Sequence, residues 1–392
     1  MNSGDKLETG LFAAVRGRQV ICCVGSGGVG KTTTAAALAL QLAMEGKRVL
    51  VMTIDPARRL ANSLGLKELG NTETRIDPAL LEQLRPGASQ GQMWAMMLDL
   101  QHSWDELVHE QAKSPEQAKR ILANHIYQSL STAMAGSLEY IAMEKVYEVH
   151  ASGRFDVVVL DTPPTSNALD FLHAADRVLD VLDNNAFRIL LGPMMKAGKF
   201  GLRLLTAPSG IILKTLARFT GAAFLKDVAD FMLAFDGMYD GFKDRAGKVR
   251  ELLKSQKAAF VLVTSPNPLT IQEALFFHRA LSDDGIKTAA VVVNRVQRDP
   301  RRQGGPDNIP AIREALSLAQ IASSGGDSQL AERLCQTLVE QSTLADLDRR
   351  EIERLQRSLG GIPLCKVPRL RKDVHDLAGL WQIDGFLANG GE

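Results

Sequence analysis

Short runs of apolar residues recur along the chain, separated by longer segments of mixed polarity. The runs are Gln19–Val24, Arg48–Ile54, Met93–Leu98, Phe155–Leu160, Ala259–Thr264, Thr288–Val293 and Pro363–Val367. They are rich in β-branched residues, and several are apolar on consecutive rather than alternate positions. Strands with that pattern are covered on both faces, as in a parallel sheet. Between the first two runs, Thr32–Met44 is dominated by Ala and Leu and predicts a helix. The strand–helix alternation predicts an α/β fold with a doubly wound, mostly parallel sheet.

Two long stretches, His102–His150 and Asp180–Phe242, break the alternation and read as helical. They predict a helical subdomain inserted, at about 102–150 and 180–242, into a single domain spanning residues 1–392. A third stretch, Ile309–Leu359, is also mostly helical, with charged residues frequent from Asp327 onwards. Polar or Gly/Pro-rich joints fall at Pro86–Gly91, Gln297–Asn308 and Ser323–Ser328.

Composition narrows the classes. At 392 residues, 45% hydrophobic and 23% charged, the chain is long enough for a large core. A net charge of +1 gives no overall bias towards nucleic acid, and no nucleic-acid partner is expected. The four cysteines, Cys22, Cys23, Cys335 and Cys365, include no C-x-x-C pair, so neither zinc nor a disulfide framework is expected. Met1–Glu8 is polar and no apolar run is long enough for a bilayer, which predicts a cytoplasmic protein.

The chemistry begins after the first strand. Gly25-Ser26-Gly27-Gly28-Val29-Gly30-Lys31-Thr32 matches G-x-x-x-x-G-K-[ST], between a predicted strand and a predicted helix. Glycines let backbone N–H groups turn inwards around phosphate, and the helix following presents the positive end of its dipole. Gly27, Gly28, Val29, Gly30, Lys31, Thr32 and Thr33 are the candidate ATP-binding residues. Lys31 can reach the β- and γ-phosphates, and the Thr32 hydroxyl can ligate Mg²⁺. Gly25, Gly27 and Gly30 also spell G-x-G-x-x-G, the dinucleotide fingerprint, but Lys31-Thr32 directly afterwards belongs to a P-loop NTPase.

Two later strands end in carboxylates. Asp161 closes Phe155–Leu160 and suits a Walker-B acid holding Mg²⁺, a reading that the phosphate loop upstream favours over a mere cap on the turn before Pro163-Pro164. Asp55 closes the second strand, where it could orient an attacking water or merely start an Asp-Pro turn. Asn294 follows Val291–Val293 where a base would dock. Asn294-Arg295-Val296-Gln297 lacks the Asp of a guanine-reading N/T-K-x-D motif, which favours adenine.

At these residues the chain resembles the arsenical-pump-driving (ArsA-type) ATPase family, which includes the ATPases that target tail-anchored membrane proteins. The motifs carrying the resemblance are Gly25–Thr33, Thr53-Ile54-Asp55-Pro56-Ala57, Asp161-Thr162-Pro163-Pro164-Thr165, Val293-Asn294 and Leu364-Cys365-Lys366-Val367-Pro368, with Leu191–Met195 similar to a client-binding region. The resemblance implies a phosphate loop at Lys31 and Thr32, water orientation by Asp55, a metal-holding switch at Asp161 and adenine recognition by Asn294. It also implies a dimer around two ATP molecules whose hydrolysis moves a helical surface. One departure stands out. The family's loop reads G-K-G-G-V-G-K-T, with a first Lys that crosses to the partner's nucleotide, and here that position is Ser26. The Asp55–Ala61 segment resembles a bacterial branch of paired paralogues.

From Asn184 to Lys226 the chain has no acid, and seven Lys or Arg lie among Leu, Ile, Met and Phe. Apolar helices with such cations suit a hydrophobic helical client or an anionic membrane surface; a helical core with a basic exposed face fits equally. The leading expectation is an ATP-driven switch, working as a homodimer or as a heterodimer with a paralogue. The alternatives are a regulatory subunit beside a catalytic paralogue, which Ser26 favours, and a Min- or Par-like positioning ATPase, which the long helical stretches disfavour.

Overall fold

The computed structural model of the protein describes residues 10–55, 59–86, 91–128, 137–162, 238–303 and 327–388, with a few single positions between 227 and 234 and at 314. An eight-stranded sheet runs through them in the order β3-β4-β2-β5-β1-β6-β7-β8. The strands are β1 (Val20–Val24), β2 (Arg48–Thr53), β3 (Thr74–Arg75), β4 (Gln92–Met97), β5 (Val157–Asp161), β6 (Ala258–Thr264), β7 (Thr288–Val296) and β8 (Leu364–Pro368). Every pairing is parallel except that of β3 with β4.

The predicted strands are all present, with two differences. β3 has no sequence signal because it is a two-residue antiparallel edge with a polar and a basic side chain, Arg75 lying over the Trp94 ring. β7 continues three residues past Val293, because its register against β8 shifts between Val293 and Val296. Asn294 therefore lies inside an irregular part of β7 rather than after it.

Adjacent residues on a strand face opposite sides of the sheet. Ile21 and Cys23 of β1 enter one apolar layer, with α1 (Leu11–Val15), α2 (Lys31–Met44), α3 (Arg59–Ser63), α4 (Pro78–Leu84) and the C-terminal helix Leu377–Ala388. Val20, Cys22 and Val24 enter the other. A smaller apolar cluster joins α5 (Leu100–Gln111), α6 (Pro115–Leu122), α7 (Ser137–Ala151) and α8 (Tyr239–Lys254). Helix α7 belongs to both: Tyr140 and Ile141 pack in the small cluster, while Met143, Val146 and Val149 pack on the sheet. Ion pairs bind the same helices, Arg245 to Glu144 and Glu110, and Lys145 to Glu106 and Glu148. α9 (Pro268–Asp283) and α10 (Asp327–Ser358) follow. Most of the stretch from Asp180 to Phe242, including the acid-free segment to Lys226, lies outside the described residues.

The C-terminal helix, α11, closes the layer over α2. It carries Asp384, buried with Oδ1 unpartnered. Burial, reinforced by the charge of Glu45, pushes its carboxyl up to about 7. The folded state thus holds the proton more tightly than the unfolded chain, where the group titrates near 3.8. Stability is lost as pH rises through that window and levels off above it. Asp384→Asn is expected to flatten this dependence and to raise stability at pH 8 by on the order of 3 kcal/mol. Urea titrations of both proteins at about pH 5 and pH 8 check it; parallel pH dependences would refute it.

Candidate nucleotide site

The loop Gly25–Gly30 leaves β1 and enters α2, at the carboxyl edge of the sheet where open α/β folds bind ligands. Two glycines are required by contact as well as by backbone angle. Gly25 has φ 150°, and a side chain there would collide with the carbonyl of Val263 on β6. Gly30 has φ 100°, and a side chain there would collide with the amide of Asn294. No side chain caps α2, whose N-cap is Gly30, and its first turn holds no acid. Its unpaired N–H groups and positive dipole end suit an anion.

Lys31 is 6% exposed, and its Nζ donates to the carbonyl oxygens of Gly25 and Ser26 at 2.8 Å each. Burial pulls its ammonium below the ordinary lysine range, while the charges of Asp161 and Asp55 resist that pull. Thr33 is half-buried on the first turn of α2, and Gly27 and Gly28 are exposed on the loop.

Asp161 ends β5, in register with Cys23 of β1 and Thr53 of β2. Its carboxylate is fully buried. Oδ2 accepts from the hydroxyls of Thr32 at 2.7 Å and Thr53 at 2.8 Å, whereas Oδ1 has no hydrogen-bond partner. Burial pushes the carboxyl up to about 6; the two hydroxyls and Lys31 pull it down, and Asp55 adds a smaller upward push. Thr53 also accepts from the Asp55 N–H at 3.1 Å, so one hydroxyl links both acids. Asp55 itself faces Arg59 across 3.8 Å. Thr162 anchors the next residue by donating to the Cys23 carbonyl at 2.9 Å.

The unpartnered oxygen on a buried carboxylate, beside the Thr32 hydroxyl, is an all-oxygen donor set. Magnesium prefers hard oxygen ligands of this kind, and the residues fit it.

Asn294 stands over the end of the loop, its Nδ2 donating to the Val29 carbonyl at 2.9 Å. Ser26 donates to the carboxylate of Glu273 on α9. All the sequence-predicted site residues thus gather at one edge of the sheet. Pro56–Arg58 and Pro163–Thr165, which complete two of the quoted motifs, lie outside the described residues.

The chain matches the family described as anion-transporting ATPase over residues 18–315. It belongs to that family. ATPase activity and nucleotide binding follow from the membership. It is 27% identical to ATPase GET3 of Malassezia globosa over 71% of this chain and 73% of that protein. It is 28% identical to ATPase get3 of Schizosaccharomyces japonicus over 70% of this chain and 74% of that one. With a candidate arsenical pump-driving ATPase of Chlorobaculum tepidum it shares 26% identity over 71% of this chain and 61% of that protein.

Two participants in this ATPase's site escape a reading by motif. Thr53 lies within a quoted segment, but only strand register brings its hydroxyl onto Asp161. Glu273 is 247 positions from Ser26, with nothing around it in sequence to mark it. Among the described residues no helix is long and apolar enough to cross a membrane.

Thr53→Val removes one of the two hydroxyls that hold the Asp161 carboxylate in its charged form. Hydrogen bonds to charged groups contribute about 1.5–3 kcal/mol, so the acidic limb of the ATPase pH profile is expected to move up by roughly one unit. An unmoved limb would mean that Asp161 does not set it.

Proposed function

We propose that this ATPase binds Mg·ATP at Gly25–Thr32 and couples its hydrolysis to a change of shape in a dimer that handles a hydrophobic or membrane-associated client. The observation that carries the nucleotide part is the buried Asp161 carboxylate, tied to the phosphate-loop Thr32 and left with one free oxygen. Loop amides and the first turn of α2 cradle the phosphates, and Lys31 turns from the loop carbonyls to the β- and γ-phosphate oxygens. Thr32 and Asp161 hold Mg²⁺, whose charge offsets that of the phosphates. Asp55 orients the attacking water, and Asn294 faces the adenine. The client reading rests on the family resemblance and on the basic, apolar composition of residues 184–226. The GET3 names of two relatives agree with the targeting branch of that resemblance.

A second reading is favoured by Ser26: a subunit with weak activity alone, completed by a paralogue that supplies the missing cation. Lysine at this position in a partner's loop would stabilise charge developing on the phosphates held by this chain.

Three variants separate the roles in steady-state turnover and nucleotide titration. Lys31→Ala is expected to abolish measurable turnover. Asp55→Asn should keep ATP affinity and lose about a hundredfold or more in kcat, the scale of a positioned general base; normal turnover would leave Asp55 a turn residue. Asp161→Asn should remove Mg²⁺ dependence. In the unmutated ATPase, Mg²⁺ affinity should fall by up to about tenfold for each pH unit below about 6, since a protonated carboxyl cannot serve as ligand.

Ser26→Lys tests the second reading with one complication, because Glu273 would pair with the new ammonium. Ser26→Lys alone is expected to gain little, and Ser26→Lys with Glu273→Gln to gain more. Equal rates for the unmutated chain, both variants and the chain mixed with a lysine-bearing paralogue would exclude the reading.

A further inference from the structure

The end of the phosphate loop is secured by a residue distant in sequence, on β7, two strands along the sheet from β1. In a loop whose N–H groups turn inwards, the carbonyls turn outwards and need partners of their own. At the start of this loop, Lys31 serves the carbonyls of Gly25 and Ser26. At its end, the Val29 carbonyl is taken by the side chain of Asn294, 265 residues away.

The Asn294 side chain is held in turn. Its Oδ1 accepts from the N–H of Arg295 at 2.8 Å. Arg295 has φ 61°, and it is the sole non-glycine among the described residues with a positive φ. The irregular stretch of β7 imposes that turn, and the chain just beyond is fixed on both sides. The Arg369 N–H donates to the Val296 carbonyl at 2.8 Å, and the Gln297 N–H to Asp348 of α10 at 2.8 Å. The amide also lies so close to Gly30 that no side chain fits beneath it. A carboxamide offers two N–H groups and an oxygen with two lone pairs. The Val29 and Arg295 bonds use one of each, so one N–H and one lone pair remain for a base.

We propose that Asn294 is a positioning residue for the phosphate loop, fixing the Val29–Gly30 end against β7, so that affinity for the phosphates depends on it whatever base they carry. The proposal rests on the reading of Gly25–Thr32 as the phosphate loop. It differs from a base-reading role in the ligands it affects.

The test is calorimetric titration of the full chain, of Asn294→Ala and of Asn294→Ser with Mg·ATP, Mg·GTP and Mg·tripolyphosphate, which has no base. Loss of one such hydrogen bond is expected to weaken all three, tripolyphosphate included, by roughly tenfold, with any additional loss for ATP reporting the base contact. Weakening confined to ATP, with tripolyphosphate unchanged, would overturn the proposal and leave Asn294 a base reader. If the unmutated chain binds none of the three, the phosphate-loop reading falls, and the proposal with it. A second measurement needs no ligand. Amide hydrogen exchange at Gly28–Thr32 should be faster in both variants while exchange in β1 and β5 is unchanged. Unaltered loop exchange would count against a positioning role, and faster exchange throughout would reduce Asn294 to a general stabilising residue.

Discussion

A carboxylate with no access to water sits where three strand ends and a helix meet. Asp161 is the only described residue that touches the phosphate-loop helix through Thr32 and the second acidic strand through Thr53 with a single oxygen. An isolated carboxylate costs several kcal/mol to bury, and hydrogen bonds from two hydroxyls offset part of that cost. What they leave is a group pushed up to about 6, with one oxygen unpartnered. Such a group favours any arrangement that brings positive charge nearby. Lys31 contributes such a charge from within the chain, and a divalent cation would be a stronger one.

The rest of the site follows from the parallel sheet. Parallel strands place all their carboxyl ends at one edge, so the loop after β1, Thr53 at the end of β2 and Asp55 just past it, Asp161 on β5 and Asn294 on β7 converge without any local sequence relation. The central strands are covered on both faces, and the loop is pressed at both of its ends by strands β6 and β7. Gly25 lies against the Val263 carbonyl and Gly30 against Asn294. A loop held against neighbouring strands keeps its amides oriented before any anion arrives, and preorganised donors stabilise charge better than donors that must reorient. Near the start of the same loop, the bond from Ser26 to Glu273 places a carboxylate where the resembled loop has a lysine. That inversion of local charge separates this ATPase from the resembled loop more sharply than loss of a lysine alone.

The sequence by itself determined the sheet, its parallel character and the phosphate loop. Each depends on local patterns: consecutive apolar residues for a doubly covered strand, and glycines at fixed offsets before Lys31-Thr32. It also marked Asp55, Asp161 and Asn294, because each follows an apolar run. It favoured a metal-holding role over a turn cap for Asp161 only through the phosphate loop upstream, since what surrounds the carboxylate is not written in its own segment. Burial, the register Thr53–Asp161 and the orphaned Oδ1 exist only once β2 and β5 are paired. β3 was invisible because a two-residue edge has no periodicity, and the extension of β7 because a change of register against β8 leaves no trace in composition. The partnerships of Ser26 with Glu273 and of Val29 with Asn294 span 247 and 265 positions. Contacts at that separation are set by the order in which strands assemble, which only the tertiary structure decides.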